Sequence, residues 1–180
     1  MRNIIVGACL LWIVGATGMA ERVREAPHCN EADRVMTEFA AKALESGLVL
    51  TGFGGQMGHE VQSFALNFST QSVVDIQKAR ALYIQVMERF VQWVNQDRKI
   101  RPYLSEFPIS SRNVELMLSF KDSQGRLHRD GNICLMFNLP ERDRIIYNRM
   151  ERDKMVKAEE EPMDRALAIQ MARAMPEPQF

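Results

Sequence analysis

Residues 72–96 read SVVDIQKARALYIQVMERFVQWVNQ. Ile76, Ala79, Tyr83, Val86, Met87, Phe90 and Val94 recur at three- and four-residue spacing, while Lys78, Gln85, Glu88, Arg89, Gln92 and Gln96 lie on the opposite side. That is the helical period, so the stretch is an amphipathic helix with one apolar stripe. About 25 residues at 1.5 Å each span about 37 Å, enough to cross a whole domain. Such a helix needs an apolar surface to lie on, and the flanking sequence supplies strands.

Downstream, Val114, Leu116, Leu118 and Phe120 alternate with Glu115, Met117, Ser119 and Lys121. Period two marks a half-buried strand, turned by Asp122-Ser123-Gln124-Gly125. Asn132–Asn138 (NICLMFN) is almost continuously apolar and reads as a central strand. Ile145-Ile146-Tyr147 and Met155-Val156-Lys157-Ala158 read as two further short strands, both flanked by charge. Pro162 opens a final helix bearing Met163, Leu167 and Met171 on one side, which Pro176 and Pro178 end.

Upstream, Asn30 reads as a helix N-cap with Asp33 near the positive end of the dipole. Ala32, Val35, Met36, Phe39 and Ala43 form that helix's apolar stripe, and Gly47 stops it. Leu48–Leu50 reads as a short strand, Gly52–Gly58 as a glycine-rich hairpin turn, and Glu60–Ser69 as a strand with Phe64, Leu66 and Phe68 on one face. The order is α-β-β-α-β-β-β-β-α. Strands in succession without helices imply hairpins. The expected fold is α+β: a single antiparallel sheet of about 4–6 strands, a long helix packed across one face, and helices at the N- and C-terminal ends.

The N-terminus carries a different signal. One positive charge, Arg2, precedes an apolar run from Ile4 to Ala16 that is shorter than the roughly 20 residues a membrane span needs. Gly18 and Ala20 place small side chains three positions and one position before a cut after Ala20. The expectation is a cleaved signal peptide at 1–20 and a single exported domain at 21–180, periplasmic or secreted. An uncleaved anchor is the alternative. Cys9 follows a lipobox-like Val6-Gly7-Ala8, but too little apolar sequence precedes it for a lipoprotein. Without the leader, 22 Lys and Arg face 23 Asp and Glu, since Arg2 is the leader's sole charge. A nearly neutral chain has no basic excess for nucleic acid or an acidic membrane surface, and 46% hydrophobic residues exclude disorder.

Cys29 and Cys134 are the two cysteines left after the leader. Export places them in an oxidising compartment, where two cysteines often form a disulfide. The alternative is two thiols, Cys134 being a small core residue of its strand.

Asn95-Gln96-Asp97, Arg101-Pro102-Tyr103-Leu104, Phe107-Pro108, the following hairpin, the Ile146-Tyr147 strand and Glu161-Pro162 through Ala166 share a pattern. Over about Ser72–Ala174 the chain resembles small exported bacterial proteins of unknown function, including some from chlamydia-like bacteria. The resemblance implies export and an α+β fold, and carries no activity, ligand or site residue.

Motifs for chemistry are incomplete. Gly52–Gly58 is followed by His59-Glu60, where a phosphate-binding loop needs Lys and Ser or Thr. His59-Glu60 begins like a zinc-protease helix, but position 63 is Ser where the second His belongs. His128-Arg129-Asp130 echoes a kinase catalytic loop and lacks its companions. No metal or cofactor is expected. His59 remains a candidate binding residue or base, Arg101 and Tyr103 form a small basic-aromatic cluster, and Ile145 and Val156 mark the expected sheet edge. Two readings follow: a non-enzymatic module that binds an envelope or host protein or peptide, and a small extracytoplasmic hydrolase whose site assembles only in three dimensions. Neither uses nucleic acid or a membrane-embedded chain.

Overall fold

The computed structural model describes residues 26–129 and 131–174. The expected leader and its cleavage point lie outside them, as do Asp130, Pro176 and Pro178. Three helices and six strands run α1 (Pro27–Leu44), β1 (Val49–Gly54), β2 (Phe64–Thr70), α2 (Ile76–Gln96), β3 (Val114–Phe120), β4 (Ile133–Leu139), β5 (Arg144–Glu151), β6 (Lys154–Pro162) and α3 (Met163–Ala174). The strands form one sheet in chain order, β1 through β6.

The fold class is α+β with one sheet, as expected, but the sheet is mixed. β2 and β3 pair in parallel, from Phe64 beside Val114 to Thr70 beside Phe120, and every other pair is antiparallel. The cause lies in α2. A helix between two neighbouring strands carries the chain back across the sheet, so the second strand starts again at the same end.

Local chemistry sets the helix starts. α1 begins at Pro27, with Ala26 before it, rather than at Asn30. Proline has the φ of a helix built in and lacks the N–H that a first turn leaves without a partner. α2 begins at Ile76 rather than Ser72, because the Asp75 carboxylate accepts from the amides of Gln77 (2.9 Å) and Lys78 (2.8 Å). α3 begins at Met163, just past Pro162.

All three helices lie on one face of the sheet. Phe39 of α1 meets Phe68 of β2 (6.2 Å between ring centroids) and Phe90 of α2 (5.0 Å), and Phe90 meets Phe64 of β2 (5.4 Å), each edge to face. The stripes read from sequence on α1 and α2 are buried there, except for the half-buried Ile76. On α3, Met163 and Ala166 are buried, whereas Met171 is exposed.

Three expectations about the strands are corrected. β5 is not an edge: it lies between β4 and β6, and Ile145 is fully buried under the helices. The edge at that end is β6, which carries Val156 and runs well past Ala158 to Pro162. β2 starts at Phe64 rather than Glu60, and Gly52 and Gly54 belong to β1.

The cysteines are free thiols, Cys29 half-buried in the first turn of α1 and Cys134 buried in β4. This corrects the expected disulfide. α1 packs beside β1 and α2, whereas β4 is three strands away from β1. Burial pushes the Cys134 thiol up from its ordinary value.

Gly55 closes the β1–β2 connection, and a Cβ there would sit 2.0 Å from the Ser63 carbonyl oxygen. Backbone cannot yield as a flexible side chain can. Gly55→Ala is expected to destabilise the fold by about 1–3 kcal/mol, read as a lowered midpoint in urea with an unchanged slope.

Candidate functional site

The most buried ionisable groups join α2 to the last two strands. Glu161 of β6 has no exposed surface. Arg80 of α2 donates to it twice, Nε to Oε1 at 2.6 Å and Nη2 to Oε2 at 3.1 Å, and the Tyr147 hydroxyl of β5 donates to Oε1. Burial opposes the Arg80 cation most strongly, yet the hydrogen bond and charge of Glu161 and the contact with Tyr147 together outweigh it and raise the guanidinium. Burial, and then the bond to Glu161, hold the Tyr147 hydroxyl proton far above the usual tyrosine range. Apart from the partly exposed Glu159, 3.6 Å from Arg80 Nη2, every partner is inside the core, which makes this cluster a structural pin rather than a site for a ligand.

One turn along α2, Tyr83 reaches a second buried cluster. Its hydroxyl lies 2.8 Å from Asn138 Oδ1 and 3.0 Å from the Leu116 carbonyl. Asn138 Oδ1 also accepts from the Leu116 amide (2.8 Å), and Nδ2 donates to the Val114 carbonyl (2.8 Å). The β3–β4 ladder pairs Met117–Ser119 with Phe137–Leu135 and goes no further. Past it, the Asn138 amide takes the place of strand-to-strand bonds, so β3 and β4 part.

The parting opens a cleft of about 920 Å³ at that end of the sheet. Gln56, Gln62 and Ser63 line it from the β1–β2 connection, Arg112 from the short turn before β3, Glu115 from β3, Leu139 from the end of β4, and Pro140 through Asp143 from the β4–β5 turn. Among the described residues no carboxylate lies within salt-bridge distance of Arg112 or Arg142.

The cleft adjoins the helix-free face. Directly opposed residues share a face, so Asn67, Met117, Phe137, Ile146 and Glu160 form one row across the sheet, and Ser69, Ser119, Leu135, Asn148 and Lys157 the next. Leu135, Phe137 and Leu139 thus run along β4 between Met117 and Ile146, all half-buried, and among the described residues no helix lies above them. Leu139 ends the stripe at the cleft.

The residues singled out in the sequence do not converge there. His59 is exposed between Met57 and Val61. No described serine or carboxylate is hydrogen-bonded to it, and the Ser63 hydroxyl accepts from the Gln56 amide instead (3.3 Å). Arg101 sits 4.2 Å from the centre of the Phe107 ring and donates to the Asn95 carbonyl (3.3 Å). Tyr103 packs half-buried against the core, its carbonyl accepting from the Val61 amide (2.8 Å). Ile145 is in the core and Val156 on the β6 edge. Arg112, Arg142 and the β4 stripe were missed because no local motif joins them. The one available signal was Asn138, a polar residue ending an apolar strand.

Asn95 through Pro108 forms a strap. The Asn95 side chain clasps Ile109, Nδ2 to its carbonyl (3.0 Å) and Oδ1 from its amide (2.9 Å). Asp97 Oδ1 accepts from the amides of Lys99 (2.7 Å) and Ile100 (3.1 Å), while Oδ2 takes Arg34 of α1 at 2.8 Å. Burial alone would raise the Asp97 carboxyl. The bonds from Arg34, Ile100 and Lys99 outweigh it and hold the group below its ordinary value.

Among the described residues no three His, Cys, Asp or Glu side chains stand together as a metal site, and no helix is long and apolar enough to cross a membrane. No protein-family model, curated protein or solved structure matches the chain.

Arg80→Met leaves Glu161 buried without its cation and is expected to cost about 3–5 kcal/mol, whereas Arg80→Met with Glu161→Leu recovers most of the loss. Chemical denaturation of both variants reads this directly. Asp97→Asn keeps the Oδ1 turn and loses the Arg34 pair, at about 1–2 kcal/mol near neutral pH. Because the folded group titrates below the unfolded 3.8, its contribution is present above that pH and lost as pH falls through the folded value. Unfolding free energy measured against pH should therefore fall less steeply below 3.8 in the variant.

Proposed function

We propose that the protein is an exported, non-enzymatic binding module. The helix-free face of its sheet, opening into the cleft at Leu139, meets a protein or peptide of the envelope or of a host. One observation carries the reading. A sheet face turned to water ordinarily bears polar side chains, yet Met117, Leu135, Phe137, Leu139 and Ile146 stand together there. Contiguous apolar surface rimmed by polar residues is where proteins meet. Here the rim is Asn67, Ser69 and Glu115 on one side, and Arg144, Lys157 and Glu160 on the other. The β6 edge around Val156 is a weaker docking place, because its charges discourage strand addition.

A photo-crosslinking residue at Phe137 in the producing cell tests the reading against one at Gln85, on the exposed side of α2. A discrete adduct is expected from position 137 alone. Ile146→Lys should abolish it while moving the thermal midpoint by less than about 5 °C. Equal adducts from both positions, or none from either, overturn the proposal. Hydrolysis of a generic ester, peptide or glycan by the purified chain, abolished by His59→Ala, would put the hydrolase reading in its place.

A further inference from the structure

The two edges of the sheet are guarded differently. β6 carries Lys154, Lys157, Glu159 and Glu160, and Glu160 is held by Lys157 (2.6 Å) and Arg144 (3.0 Å). Charge of that kind keeps an edge from pairing with another chain. β1 (VLTGFG) has no charged residue and no proline. Val49 and Phe53 stand 50% and 45% exposed. Among the described residues, no backbone hydrogen bond from outside the β1–β2 ladder ends on Val49–Gly54.

The β1 bulge gives this edge a particular symmetry. Val49 opposes Ser69, Gly52 opposes Asn67 and Gly54 opposes Ala65, all on the helix-free face. Leu50 opposes Phe68 and Phe53 opposes Leu66, both on the covered face. In a regular strand two residues an odd number of places apart point to opposite faces. The extra residue at Thr51 changes that. Leu50 and Phe53 now share one face, and Val49 and Gly54 the other, each pair equally distant from a point between Thr51 and Gly52.

We propose that β1 is the seam of a symmetric homodimer. Two copies of β1 pair antiparallel about a two-fold axis at that point and join the two sheets into one. Leu50 then opposes Phe53 of the second copy on the covered face. Val49 opposes Gly54 of the second copy on the other, where the absent side chain leaves room. A two-fold interface places the same patch on both sides and must be self-complementary. Matched faces and the absence of charge give β1 that property, and the edge supplies the backbone donors and acceptors. The inference does not depend on the helix-free face binding a partner.

Sedimentation equilibrium of the full chain up to about 1 mM tests it. A reversible monomer–dimer equilibrium is expected. Thr51→Lys and Thr51→Glu each bring like charges together beside the axis and should raise the dissociation constant at least about 10-fold. An equimolar mixture of the two should associate again as a heterodimer. Val49→Lys, at a half-exposed position, is a second route to the same loss, with circular dichroism showing each variant folded. A wild-type chain that stays monomeric throughout overturns the proposal, including one that binds only another protein's peptide at this edge. So does a dimer that the substitutions leave unchanged, or a charge-swapped mixture that fails to associate.

Discussion

Glu161 lies one residue before Pro162 hands the chain to α3, and none of its surface reaches water. A carboxylate so placed is tolerable only with its hydrogen-bonding capacity filled, and Arg80 and Tyr147 fill it. The consequence is register more than net stability. An apolar stripe is satisfied by many positions along a sheet, because burial has no direction. Arg80 can reach Glu161 in only one of them. Tyr83, three residues on, makes the same demand through Asn138 and the Leu116 carbonyl. These two polar contacts set where α2 lies across β3 to β6.

That placement shapes both surfaces of the sheet. The aromatic contacts of Phe39, Phe64, Phe68 and Phe90 gather α1, α2 and β2 on one side, and Met163 and Ala166 bring α3 into the same core. On the other side, among the described residues, no helix covers the half-buried apolar β4 stripe. Asn138 belongs to both stories: the amide that receives Tyr83 also substitutes for missing ladder bonds, and the resulting gap between β3 and β4 becomes the cleft. Core polarity and surface shape share one cause.

The strap from Asn95 to Pro108 has a comparable double role. It carries the chain from the end of α2 back to β3, and it anchors α1 through Arg34 and the β1–β2 connection through Val61. Its distinctive residues are accounted for by these contacts. Asn95 imitates a strand pair with Ile109, Asp97 caps a turn, and Arg101 lies over Phe107. Arg101 and Phe107 both remain exposed on the strap, and Tyr103 is half-buried against the core.

By itself the sequence determined the local periods: the stripes of α1 and α2, the alternation of β3, the apolar run of β4 and the nine elements in order. Those are properties of neighbouring residues, and hydrophobic period reports them directly. Only the tertiary structure decided what depends on contacts between distant residues. The parallel β2–β3 pair follows from how α2 crosses, the burial of Ile145 from a sixth strand outside the fifth, and the separate thiols from the places of α1 and β4. The cleft and the helix-free stripe belong to the same class, since Arg112 sits in the turn before β3 and Arg142 in the turn after β4, and they line one cleft only after the sheet has formed. Period fixes which side of an element is apolar. What covers that side, or leaves it bare, is settled by packing.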